Sequence, residues 1–202
     1  MALKLANNQS MSEITSLPSS ISSGAWTLIS TTTASSSATV SITSGIDDTY
    51  SVYCFRYYNI HPATDGAEFQ FNGSIDGGSN YNVTKTTTSF FAFQYEDDTS
   101  TSLGYSAAND LAQSTAFQNL ADDVGNDNDQ SASGYIHLFE PASTTFTKMF
   151  INTGVHSMND DRINNRRQAG YFNTTSAIDA IQFKFSTGNI DSGDICLYGI
   201  TW

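Results

Sequence analysis

Positive charge is scarce in this chain. Its 202 residues carry 8 Lys and Arg against 20 Asp and Glu, a formal net charge of −12, and the sequence pI is ≈ 4.2. Such a surface repels phosphate backbones and anionic bilayers, so neither nucleic acid nor a membrane is an expected partner. Cysteine is almost as rare. The 2 cysteines, Cys54 and Cys196, lie inside apolar runs with no CxxC spacing, which disfavours a zinc or redox site. Whether they pair is open, because a disulfide needs Cα atoms within about 7 Å of one another. Long hydrophobic runs are missing too. No stretch approaches the roughly 20 apolar residues of a membrane helix, and the first residues have no apolar core of signal-peptide length, so a soluble chain made in a cytoplasm is expected.

Reactive constellations are equally thin. The 3 histidines show no HxH or HxxxH spacing. His61 is read in a turn before Pro62, His137 in a strand, and His156 in the loop "GVHSMNDDR". No GxSxG nucleophile elbow and no phosphate-binding loop is present. Asp122, Asp123, Asp127 and Asp129 superficially suggest calcium, which takes carboxylate and carbonyl oxygens. The EF-hand pattern fails there, with Asp127 where Gly is needed and Ser133 where Glu is needed. Glu68, Glu96, Asp97 and Asp98 are acidic, but nothing selects a pair of them for glycoside hydrolysis. No enzyme activity and no cofactor is expected.

Strand-forming material is abundant. Aromatics make up 12% of the chain, with 13 Phe and 10 Tyr, and β-branched residues accompany them. "AEFQFN" alternates, with Ala67, Phe69 and Phe71 on one side and Glu68, Gln70 and Asn72 on the other. "AIQFKFS" repeats the pattern with Ile181, Phe183 and Phe185. "YSVYCFRYYNI" is apolar in both phases and suits a central strand covered on both faces. Gly-rich turns separate such runs. The pattern predicts roughly ten strands in an all-β antiparallel sandwich, jelly-roll-like, spanning residues 25–202 as one domain. Between Ala107 and Ser133, Leu111, Phe117, Leu120 and Val124 are spaced to line one face of a short helix. Residues 1–24 read as an extended, Ser-rich N-terminal arm, broken by Pro18 and Gly24, with apolar points at Leu3, Leu5, Ile14 and Leu17.

Two segments are candidate subunit contacts. One is that arm, through Leu3, Leu5, Ile14 and Leu17. The other is "NDDRINNRRQAGYF", which concentrates Arg162, Arg166 and Arg167 in an arginine-poor chain. Arginine is enriched at interfaces because its planar fork pairs with carboxylates.

The order of elements from Ser41 resembles a family of bacteriophage virion structural proteins. "SITSGIDDTYSVYCFRYYNIHPATDGAEFQFNGSIDGGSNYN" is similar to the family's opening, "GYIHLFEPASTT" to its middle, and "YFNTTSAIDAIQFKFSTGNIDSGDICLYGI" to its close. The start "MALKLANN" is similar to openings of phage structural genes. The resemblance implies a non-enzymatic β-sandwich displayed on the particle. Capsid decoration is favoured over a tail fibre or knob, because the chain has no fibrous shaft. It implies partners among other virion proteins, a symmetric homo-oligomer such as a trimer, and a virion location after synthesis in the bacterial cytoplasm. The alternative is a carbohydrate-binding module adhering to host glycans, with Tyr57, Tyr58, Tyr81 and Tyr105 as candidate platforms.

Overall fold

The computed structural model describes residues 25–201, and every regular element among them is a strand. The arm and its apolar points Leu3, Leu5, Ile14 and Leu17 lie outside the described residues. Twelve strands follow in order: β1 (Trp26–Ser37), β2 (Val40–Ile42), β3 (Val52–Pro62), β4 (Ala67–Ser74), β5 (Lys85–Tyr95) and β6 (Thr101–Tyr105), then β7 (Gln118–Val124), β8 (Ala132–Phe139), β9 (Lys148–Ser157), β10 (Arg162–Phe172), β11 (Ala180–Phe185) and β12 (Ile190–Ile200). They form two antiparallel sheets. The larger has 8 strands in the order β1-β12-β3-β8-β9-β10-β5-β6, and the smaller has 4, β2-β11-β4-β7. The chain crosses between sheets repeatedly, from β1 to β2 to β3 to β4 to β5, in jelly-roll manner.

The core is where the alternating runs meet. Phe69 and Phe71 of β4 and Phe183 and Phe185 of β11 point inward from the smaller sheet, and Tyr53, Phe55 and Tyr57 of β3 point inward from the larger one. Phe69 stacks on Phe183 with centroids 5.8 Å apart and sits 5.3 Å from Tyr57. Each such side chain contributes about 2 kcal/mol when fully buried. Tyr57 needs two glycines to fit. A Cβ on either Gly134 or Gly154, partners on β8 and β9, would lie 2.4 Å from its hydroxyl.

The half of the sandwich under β7 is polar. Tyr57 donates to Asn152 Oδ1 (3.0 Å), Asn152 donates to Gln168 Oε1 (3.0 Å), and Gln168 donates to the carbonyl of Asn119. Thr87 donates to Gln118 Oε1 (2.6 Å), and Gln118 donates to the carbonyl of Asn109 (2.8 Å). A buried network of this kind fixes one register, since any slip strands several desolvated groups at once.

Three expectations from the sequence are corrected here. No helix forms over Leu111, Phe117, Leu120 and Val124: the last two lie in the edge strand β7, and Leu111 and Phe117 in the irregular segment before it. Leu120 and Val124 are buried, and Gln118 and Asp122 enter the polar seam. Pairing with β4 occupies backbone groups that a helix would leave open on that edge. His156 lies on β9 and is 1% exposed rather than in a loop. His61 lies within β3, which runs on to Pro62.

Candidate functional site

The larger sheet has a second face, turned away from the sandwich core. Antiparallel partners share a face, so the register gives its composition row by row. Leu28, Tyr198, Cys54, His137, Ile151 and Ala169 stand side by side across six strands. The next row is Cys196, Arg56, Tyr135, Thr153, Arg167, Phe90 and Tyr105. A further row holds Val155, Asn165, Ala92 and Leu103. Trp26, Ile200, Val52 and Phe139 form the row on the other side.

Part of this face has its own small core. Val52, Cys54 and Ile200 are buried there, covered by Phe139 and Tyr198. Trp26 packs at 5.9 Å from both His137 and Tyr198, and Tyr135 lies 5.1 Å from His137. Burial beneath these rings pushes the His137 imidazole below its ordinary pKa. The rest of the face is open. Leu103 is 81% exposed, Met149 61% and Phe90 51%. A groove of ≈ 610 Å³ is lined by Phe139, Phe146, Met149 and Ile151, with Glu140 at its rim. A shallower depression of ≈ 280 Å³ lies between Arg56, Tyr58, Tyr135, Thr153 and Asn165. Charge among the outward strand positions of this face comes from Arg56, Arg167 and Asp194.

The residues singled out from sequence are scattered by the fold. Arg166, expected at a subunit contact, points into the seam and is 1% exposed. Its Nη2 lies 2.5 Å from Asp122 Oδ1, and its Nη1 donates to Ser89 Oγ at 3.1 Å. Arg162 bonds Asp160 and lies over the rings of Phe93 and Tyr95. Arg167 alone of the three is exposed on the outward face. Among the tyrosines, Tyr57 is core, Tyr81 belongs to the β4–β5 loop, and Tyr58 and Tyr105 reach the outward face.

The acidic segment is dispersed in the same way. Asp122 turns inward, where His156 Nε2 lies 3.2 Å and Asn164 Nδ2 3.3 Å from its Oδ1. Burial raises the Asp122 carboxyl, but His156 and Arg166 outweigh it and hold it down to about 2. Asp127 stays in the turn after β7, where its carbonyl lies 3.2 Å from His61 Nε2. Among the described residues, no group of three or more His, Cys, Asp or Glu is placed to hold a metal ion. Cys54 and Cys196 are both free and buried, and burial pushes the Cys54 thiol up to about 12.

Sequence reasoning passed over Tyr135, Met149, Ile151, Val155, Phe90 and Leu103. The signal was available in "KMFINTGVHS". Its outward phase holds Met149, Ile151 and Val155 with Thr153 between, more apolar than a strand face left to water usually is. No protein-family model, no curated protein and no solved structure matches this chain.

Proposed function

We propose that this chain is a non-enzymatic structural protein of a bacteriophage particle, displayed on the surface as capsid decoration or as part of a tail fibre or knob. The observation that carries the reading is the outward face of the larger sheet. It is broad, apolar over much of its extent and carries few charged side chains, on a chain whose net charge is −12. Such a face suits association by burial, with a polar rim for orientation. The sequence resemblance to virion proteins supports the same reading. The test is mass spectrometry and imaging of purified particles. Copy numbers in icosahedral multiples fit decoration, and six or eighteen copies fit a fibre. Particles that lack the chain refute the proposal.

One observation favours a second reading, adhesion to host glycans. The depression between Tyr58 and Tyr135 is flanked by Arg56 and Asn165, so aromatic faces stand beside hydrogen-bonding groups. A glycan array on the purified protein tests it. Loss of a glycan signal in Tyr135→Ala supports it, and a blank array removes it.

A further inference from the structure

We propose that the outward face of the larger sheet, centred on β9, is the surface through which two copies of this chain associate. The inference rests on the reading of the chain as an assembling subunit and adds which surface does it.

Area is the first argument. Seven strand-to-strand spacings of about 4.8 Å make the face about 34 Å wide, and its rows at about 6.6 Å intervals make it about 20–25 Å long. The product, about 700–850 Å² for the whole face with its Thr, Asn and Arg positions included, is close to the roughly 800 Å² per partner of a stable protein interface. Open apolar side chains span the face from Trp26 and Leu28 on β1 to Leu103 and Tyr105 on β6. Met149, Ile151 and Val155 are all on β9, next to the centre of the strand order.

Charge is the second argument, and it selects the occupant. Each copy carries −12, so two copies repel through most approaches. The outward strand positions hold Arg56 and Arg167 against Asp194, and Glu140 at the groove rim and the exposed Asp191 of β12 add two negatives, a small net charge beside that of the whole chain. The acids crowd the hairpin ends instead, as Glu96, Asp97, Asp160 and Asp161 do around one recess. Contact through the face therefore brings the least like charge together, and a second twisted sheet laid on the first at about 30° is an ordinary packing arrangement. Burial drives this association while net charge opposes it, so salt strengthens it by screening.

Sedimentation velocity of the full chain from 1 to 100 µM provides the test. The expected result is a species heavier than the 21.9 kDa monomer, more populated at 0.5 M than at 0.02 M salt. Ile151→Lys weakens association at least about tenfold while circular dichroism stays unchanged, and Thr39→Lys, in the β1–β2 turn, leaves it intact. A second readout needs no variant. Peroxide oxidation of Met149 slows as protein concentration rises. A 21.9 kDa monomer at every concentration overturns the proposal. So does an oligomer indifferent to Ile151→Lys in which Met149 oxidises at one rate throughout. Protection of Met149 at every concentration also overturns it, by assigning the face to residues 1–24 of the same chain. The functional reading fails separately, on absence of the chain from purified particles.

Discussion

Lys85 offers the sharpest test of the packing argument. It is fully buried at the start of β5, with no acid in contact. Its Nζ donates to Asn72 Oδ1 (2.8 Å) and to the carbonyls of Val83 (3.1 Å) and Ala116 (2.6 Å), and it lies 5.8 Å from the centre of the Phe172 ring. Burial lowers its pKa from 10.5 to about 7. Between those two values the unfolded chain keeps the proton that the folded protein has lost. The unfolded state then binds more protons, so stability rises with pH across that window. Below about pH 7 both states are protonated and the full cost, about 5 kcal/mol, is present. Lys85→Met keeps the stem and removes the titration. Urea unfolding of both proteins at pH 7, 8 and 9.5 should show the wild type gaining about 3 kcal/mol on the variant across that range. Two curves that stay parallel within about 0.5 kcal/mol would refute the reasoning, and would mean that the carbonyl acceptors hold the ammonium as well as water does.

Other substitutions probe the seam, the turns and the thiols. Asp122→Asn leaves Arg166 buried without its anion and should cost about 3 kcal/mol at pH 7 by urea midpoint. The Asp122 pKa is depressed in the fold, so the wild-type advantage should shrink as pH falls from about 4 to about 2. Gly193→Ala should cost about 2–4 kcal/mol, because φ there is +125° and the new Cβ would sit 2.7 Å from the carbonyl of Asn59; an unchanged thermal midpoint would contradict that geometry. Native protein should react with a thiol reagent far more slowly than unfolded protein, since Cys54 and Cys196 are both buried, and two fast thiols in native buffer would argue against the packing over Val52 and Ile200.

The strands that carry the greasy core were legible because hydrophobicity marks their inward phase. Phe69 and Phe71, like Phe183 and Phe185, alternate with polar neighbours, and the structure keeps that alternation in β11 and up to Phe71 of β4, after which Asn72 is buried as well and accepts from Lys85. The polar seam was not legible for the complementary reason. In "HSMNDDRINNRRQ" the inward phase of the strand arm is Asn164, Arg166 and Gln168. Period two is present there, but its marker is hydrogen bonding to Asp122, Ser89 and Asn119 across the interior, which no hydropathy pattern records. β7 was hidden by the same ambiguity, since Leu120 and Val124 are four apart and fit a helix face as well as a bulged strand. The outward face was half legible. The two-sided apolar character of β3 was readable in "YSVYCFRYY", whereas its continuation over β9 and β5 needed the strand order.

Trp26, at the start of β1, is paired with Ile200, at the end of β12, so the two ends of the described chain leave from one corner of the larger sheet. Force applied between those ends loads the β1–β12 hydrogen bonds one rung at a time, as a zipper opens, instead of all together. A single-molecule pull in that geometry should therefore peel the outer strand at low force, however stable the body is to urea. A fold built this way is weakest against tension drawn between those two ends, and the depth of its core does not protect it there.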